Sequence, residues 1–220
     1  DLFYRSYVQT YLQRDVRDLV NVGDLDIFMR FLKAVSARTA QLLNYTDLAR
    51  DCAISVNTAR SWMGVLQASH QVLLLPAWHT NLSKRLYTTP KLHFLDTGLC
   101  AYLTEWSSPE TLSAGAMAGA ILETYVVAEI LKSWWHHGKD PSLYHYRDKD
   151  GREIDLLIAH DGCLYPVEVK RAATVRTDDV AAFGLLERRG AKPGRGAVLS
   201  LSAEGIPLNR TVEVLPIGWL

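Results

Sequence analysis

Two carboxylates and a lysine lie close together in the C-terminal half of this sequence. Asp155 falls in the run Glu153-Ile-Asp-Leu-Leu-Ile158, and Glu168 and Lys170 fall in Tyr165-Pro-Val-Glu-Val-Lys170. Both runs are apolar and β-branched, and they flank the turn residues His160-Asp161-Gly162, the pattern of two antiparallel strands. Strand side chains alternate between faces, so Glu168 and Lys170 share a face while Val167 and Val169 take the other. By the same alternation Asp155 stands opposite Ile154, Leu156 and Ile158. Two acids and a lysine on one polar face suit a divalent metal and an activated water, the equipment of phosphodiester hydrolysis. Exposed acid–lysine pairs on strands are nevertheless common and usually do no chemistry, so Glu168 with Lys170 alone specifies little.

The elements that must position these residues follow from periodicity. A long helix is expected from Ala118 to Trp135, ended by His136-His137-Gly138, with Val127, Ile130 and Trp134 on its apolar face. Glu123 stands on or beside that stripe, and an acid there needs a partner. Adjacent His136 and His137 read as a helix cap rather than a chelating pair, and Trp134 and Trp135 as core or interface. Strands are expected at Leu143–Arg147, Glu153–Ile158 and Leu164–Lys170, a helix at Asp178–Arg189, and strands at Gly196–Leu201 and Val212–Pro216. The order predicts an α/β fold with a mixed sheet flanked by helices.

The N-terminal half reads differently. An amphipathic helix is expected from Leu2 to about Leu19, with Phe3, Tyr7, Tyr11, Val16 and Leu19 as its stripe. A second runs from Asp24 to Ser36 on Ile27, Phe28, Phe31, Leu32 and Val35. Thr46 is placed to cap a short helix, Asp47–Cys52, and Ser55 a longer one through Gln67 that carries Ala59, Met63 and Leu66 on one face. Two helices separated only by Ala53-Ile54 suggest helix-turn-helix. Val72–Leu75, the turn Asn81–Lys84 and Leu86-Tyr87 suggest a β-wing, completing a winged helix over about residues 25–95. Its recognition helix would expose Asn57, Thr58, Arg60, Ser61 and Gln67, and its wing Lys84 and Arg85, groups able to touch phosphates and base edges. Winged helices also serve as packing and protein-interaction modules. The division is therefore 1–95, helical and winged helix; 96–117, linker with a short helix; and 118–220, the strand-rich domain carrying the acids.

Composition narrows the functions. With 220 residues, 48% of them hydrophobic, the chain is large enough for one big or two small globular domains. Its 24 basic and 24 acidic residues balance, so any nucleic-acid contact needs a local basic patch. Cys52, Cys100 and Cys163 are widely spaced and indicate neither zinc nor a disulfide framework, which fits a reducing cytoplasm. No apolar run reaches membrane-spanning length, so no membrane partner is expected. The chain opens at Asp1 directly in a helical pattern, as a fragment with a preceding N-terminal part would.

Taken together, Asp155, Glu168-Val-Lys170, the Glu123 helix before them and the α-β pair after them resemble the PD-(D/E)XK nuclease superfamily, restriction endonuclease-like in fold. The whole chain more closely resembles the C-terminal region, a domain of unknown function, of a bacterial and archaeal family of AAA-type ATPases. The residues carrying this resemblance are Tyr11-Leu-Gln-Arg-Asp15-Val, Lys91-Leu-His-Phe-Leu-Asp96-Thr-Gly98-Leu and Gly119-Ala-Ile-Leu-Glu123-Thr-Tyr-Val126. Tyr146-Arg147-Asp148, Gly151-Arg-Glu153-Ile-Asp155 and Val167-Glu-Val-Lys170 continue it. The resemblance implies that Asp155, Glu168 and Glu123 bind Mg²⁺ and that Lys170 positions or activates the attacking water. It also implies an upstream ATPase module in cis; double-stranded DNA and a second copy of the chain, as a homo-oligomer, are the candidate partners besides it. The sequence has no GxxxxGK[ST], so ATP would bind only in that upstream module. The alternative is a non-catalytic DNA- or protein-binding or oligomerisation region that targets the ATPase, in which Arg152 or Arg171 would close the acid pair.

Overall fold

The computed structural model describes residues 2–16, 25–81 and 88–220. It divides into two units, one of Asp1–Leu74 with Leu92–Thr124, the other of Leu75–Lys91 with Tyr125–Leu220. The expected wing turn, with Lys84 and Arg85, lies outside the described residues, as does the end of the first expected helix.

In the first unit, α1 (Leu2–Thr10) runs into a π-helical turn at Tyr11–Val16. The wider turn brings residues five apart onto one side, and the buried residues are Val8, Tyr11 and Val16. The expected stripe is thereby corrected: Phe3 is 70% exposed and Tyr7 38%. Tyr7 instead stacks on Tyr11, with ring centroids 6.3 Å apart, and its hydroxyl accepts from Gln71 Nε2 at 2.8 Å.

Helix α2 (Leu25–Ser36) buries Phe28, Phe31, Leu32 and Val35. A short strand, β1 (Gln41–Leu42), precedes α3 (Tyr45–Cys52). The α3 cap is Asn44, whose side chain accepts from the Thr46 and Asp47 amides, so Thr46 is already inside the helix. Ala53 ends α3 in the left-handed region, at φ 56°. Ser55 caps α4 (Val56–Ala68) through the Thr58 amide at 3.0 Å, as expected. Trp62 on α4 packs edge-on against Phe28 and Phe31, and Ala59, Met63 and Leu66 are fully buried. Strands β2 (Val72–Leu75) and β3 (Lys91–Phe94) join β1 in the order β1-β3-β2. Then come α5 (Thr97–Leu103, capped by Asp96) and α6 (Pro109–Ala114, capped by Ser108). Helix α7 (Ala118–His136) begins in this unit and ends in the next.

The second unit holds a mixed sheet of β4 (Ser142–Arg147), β5 (Glu153–His160), β6 (Cys163–Lys170), β7 (Gly196–Ser200), β9 (Val212–Pro216) and β8 (Ile206–Pro207), in that spatial order. β5 runs antiparallel to both of its neighbours, β4 and β6, whereas β6, β7 and β9 are parallel. Asp161 (φ 48°) and Gly162 (φ 73°) form a two-residue hairpin turn that matches the strand twist. The crossover from β6 to β7 was expected as one helix. It is a 3₁₀ turn, Thr177–Phe183, followed by the short α8 (Gly184–Arg188), broken where glycine weakens helix. This crossover lays Val180, Phe183, Leu185 and Leu186 against Ile154, Leu157, Val198 and Val214 of the sheet. No helix among the described residues is long and apolar enough to cross a membrane.

Candidate functional site

Asp155 owes its position to a break in strand alternation. From Tyr144↔Leu157 to Tyr146↔Ile154, β4 advances two residues while β5 retreats three, so Asp155 and Leu156 together face the single residue His145. A bulge of this kind bends its strand and re-aims the side chains in it. It also corrects the strict alternation expected of β5, since Ile154 and Leu157 both enter one core cluster. The regular β5–β6 ladder runs from His160↔Cys163 to Leu156↔Val167. One step beyond it, Asp155 Oδ2 accepts a hydrogen bond from the Val169 amide at 2.9 Å.

Glu168 stands next to that amide on β6, in register with Val198 of β7. Asp155 and Glu168 are each only 7% exposed. Burial, followed by the nearby charge of Asp155, pushes the Glu168 carboxyl up to about 7, while Lys170 and Lys91 pull the other way. Lys170 Nζ donates to Glu168 Oε1 at 2.9 Å and lies 4.0 Å from Asp179 Oδ1. Burial draws the Lys170 ammonium down. The bond to Glu168 and the charges of Glu168, Asp155 and Asp179 outweigh that and hold it above its usual value.

A second lysine, given no role by the sequence reading, completes the cluster. Lys91 opens β3, is 5% exposed, and holds its Nζ 3.5 Å from Asp155 Oδ1. The sequence held no local signal for it, because the burial of all four β3 residues belongs to the fold. His145, the residue facing the bulge, is also buried, with Nε2 3.2 Å from the Thr89 carbonyl. Burial holds its imidazole down at about 4. The Thr89 carbonyl opposes this, and the charges of Lys91 and Arg147 add to it.

Asp155 and Glu168 are oxygen ligands of the type a hard dication takes. Mg²⁺ keeps several waters and needs only one or two carboxylates, and the two buried acids repel each other. Among the described residues no three His, Cys, Asp or Glu side chains converge as a ligand set, so two protein oxygens are the available complement.

The other expected site residues are placed as follows. Glu123 belongs to the first unit, where its Oε1 lies 3.8 Å from His93 Nε2; Asp155, Glu168, Lys170 and Lys91 belong to the second. Asn57, Arg60, Ser61 and Gln67 are exposed on α4, and Thr58 is engaged with the Ser55 cap. Arg60 lies over the Tyr45 ring, 4.4 Å from its centroid. Arg152 pairs with Asp148 and Asp150 rather than with the acid pair.

Comparison with known proteins adds family membership and little chemistry. Residues 1–110 match the model of a family described as "Domain of unknown function (DUF8612)", and residues 118–220 match that of "Domain of unknown function (DUF4143)". An uncharacterized protein of Mycobacterium bovis and one of Mycobacterium tuberculosis are each 27% identical over 211 residues, which is 96% of this chain. The chain spans 46% of the length of each of these relatives. No solved structure matches.

Proposed function

Since the chain belongs to the family described as a domain of unknown function (DUF8612), which names no activity, we propose its function from the acid cluster of the second unit. That unit is a PD-(D/E)XK-like nuclease domain, a metal-dependent phosphodiesterase acting on double-stranded DNA. It works within the C-terminal region of an AAA-type ATPase whose nucleotide-binding module lies upstream in cis. The observation carrying this reading is the pair of buried, mutually repelling carboxylates Asp155 and Glu168, with Lys170 Nζ 2.9 Å from Glu168. Perturbed acids that a fold does not need for packing mark functional sites.

Asp155 and Glu168 would hold a magnesium ion, whose chemistry there is to acidify a bound water and offset charge on phosphate oxygens. Lys170 orients that water and stabilises the charge that grows on the phosphate. The Val169 amide fixes the Asp155 carboxylate, leaving its other oxygen directed to the cluster. Glu123 is the third acid implied by the resemblance, and the winged helix, through Asn57, Arg60, Lys84 and Arg85, is the module that holds the duplex.

A second reading has an observation of its own. Lys91 supplies Asp155 with a buried counter-charge of the kind a metal would otherwise provide, as in a region kept for DNA or protein binding after its chemistry has gone. A supercoiled-plasmid relaxation assay in Mg²⁺ or Mn²⁺ separates the two. Nicking by the wild type, lost in Asp155→Ala and lowered about 10²–10³-fold in Lys170→Ala, supports the nuclease. Equal nicking by wild type and Asp155→Ala overturns it. Salt-dependent duplex binding without nicking selects the second reading.

A further inference from the structure

A cleft of about 290 Å³ opens in the second unit away from the acid cluster, lined by Trp78, Tyr146, Arg147, Lys149 and Arg189 among others. None of Asp155, Glu168, Lys170 and Lys91 lines it. Its floor is aromatic and held in place by backbone bonds. The Trp78 amide donates to the His145 carbonyl at 2.7 Å, and the His145 amide donates to the Pro76 carbonyl at 2.9 Å. The Trp78 and Tyr146 rings lie 6.4 Å apart at 53°. The polar lining carries Arg147, Lys149 and Arg189 together with one acid, Asp148, whose carboxylate is paired with Arg152 at 2.8 Å. Arg147 is tied to Glu153 at 3.1 Å, whereas Lys149 and Arg189 are exposed and make no ion pair with a described residue.

One further feature asks for a guest. The Tyr146 hydroxyl is buried and has no hydrogen-bond partner among the described residues. A hydroxyl left in that state is destabilising, and an incoming acceptor or donor would relieve it. An aromatic floor of two inclined rings, a hydroxyl with no partner among the described residues and two rim cations without an ion pair to a described residue describe complementarity to a ring joined to a phosphate. The cleft volume, at the lower end for ligand sites, limits the guest to one such unit.

We propose that this cleft binds a single nucleotide unit, with its base toward Trp78 and Tyr146 and its phosphate on Lys149 and Arg189. Base–aromatic stacking gives affinity with little sequence preference, and the arginine fork suits phosphate oxygens. The unit comes either from a free mononucleotide or from the end of a nucleic-acid strand. The assignment does not rest on the acid cluster being active.

The test is calorimetric titration of the full chain, in chelator so that no turnover intervenes. The probes are adenosine 5′-monophosphate, adenosine, inorganic phosphate and a 5′-phosphorylated single-stranded oligonucleotide. The monophosphate is expected to bind about tenfold or more tightly than adenosine or phosphate, the equivalent of one charge-assisted contact or one stacked base. The double variant Lys149→Glu/Arg189→Glu, altered only at exposed positions, should weaken binding at least about tenfold. Tyr146→Phe should weaken it while leaving the melting temperature equal or higher, because it removes a buried group without a partner. An oligonucleotide that binds more tightly than the monophosphate assigns the site to a strand end, and equal affinity assigns it to the free nucleotide. No binding of either, monophosphate binding unaltered in both variants, or phosphate alone binding as well as the monophosphate overturns the proposal.

Discussion

In the first unit the buried polar side chains are Ser36, Thr39, Gln71, His93 and Thr124, and they bond to one another or to backbone. Thr39 and Thr124 share a hydrogen at 2.7 Å, and Thr39 also accepts from the Phe94 amide at 3.1 Å. Ser36 donates to the Lys33 carbonyl at 2.8 Å. In the second unit the buried polar groups include Lys91, Asp155 and Glu168; among the described residues every buried lysine or carboxylate is there. Neutral groups buried with partners rigidify a core and need no further explanation. Two carboxylates buried within reach of each other oppose folding, and their retention in so well packed a sheet points to work beyond packing.

The sharpest way to break this contrast is Lys91→Met, which keeps the apolar stem and deletes the charge that Asp155 faces. Loss of one partner of a buried pair costs about 3–5 kcal/mol. Urea unfolding should show that loss, and added Mg²⁺ should restore part of it if the acids bind the ion. A loss under 1 kcal/mol (about the worth of an exposed pair) would mean that the pair is not a buried one.

The next effect is in pH. Glu168 is held up at about 7 from an ordinary 4.5, so its folded form keeps a proton that the unfolded chain has lost, and stability falls as pH rises from 4.5 to 7. His145 is held down at about 4 from 6.5, so the unfolded chain binds the extra proton and stability falls as pH drops from 6.5 to 4. Between 4.5 and 6.5 the two slopes, each about 1.4 kcal/mol per pH unit, oppose each other, and the pair adds little net pH dependence. Denaturation of the apo protein should show Glu168→Gln gaining stability with pH in that window and His145→Asn losing it. Parallel curves for wild type and both variants would remove charge burial from the contrast.

The smallest effect belongs to the first unit. Thr124→Val leaves the Thr39 hydroxyl and His93 Nδ1 without that partner. It should lower stability by about 1–2 kcal/mol, with no change in its pH dependence between 4.5 and 6.5. A pH-dependent loss would mean that the first unit stores charge as well.

How much of this was legible in the sequence depended on distance along the chain. The hairpin with Asp155, Glu168 and Lys170 was readable because an Asp-Gly turn, strand alternation and an acid–lysine pair are local signals. Ser55, four residues ahead of the first buried residue of its helix, was readable for the same reason. Lys91 was not, because nothing within a few residues of it announces a partner 64 positions away in Asp155, a contact made only by tertiary packing. The bulge escaped notice because two residues facing one is a property of pairing with β4, not of β5 alone. Phe3 and Tyr7 misled because each i, i+4 step drifts about 40° round a helix of 3.6 residues per turn, so a side centred on Val8 and Tyr11 leaves Tyr7 at its edge and Phe3 outside it.

That same separation gives the acid site an order of assembly. Asp155 and Glu168 are brought together by a two-residue turn, and hairpins of this type close in about 1–10 μs. Lys91 must arrive across a long loop, and β7 and β9 must dock in parallel, both steps that loop-closure entropy delays. During folding the like charges therefore meet before the charge that neutralises one of them. The hairpin carrying the two acids brings Lys170 to Glu168 at once, yet Asp155 gains its buried counter-charge only when Lys91 arrives.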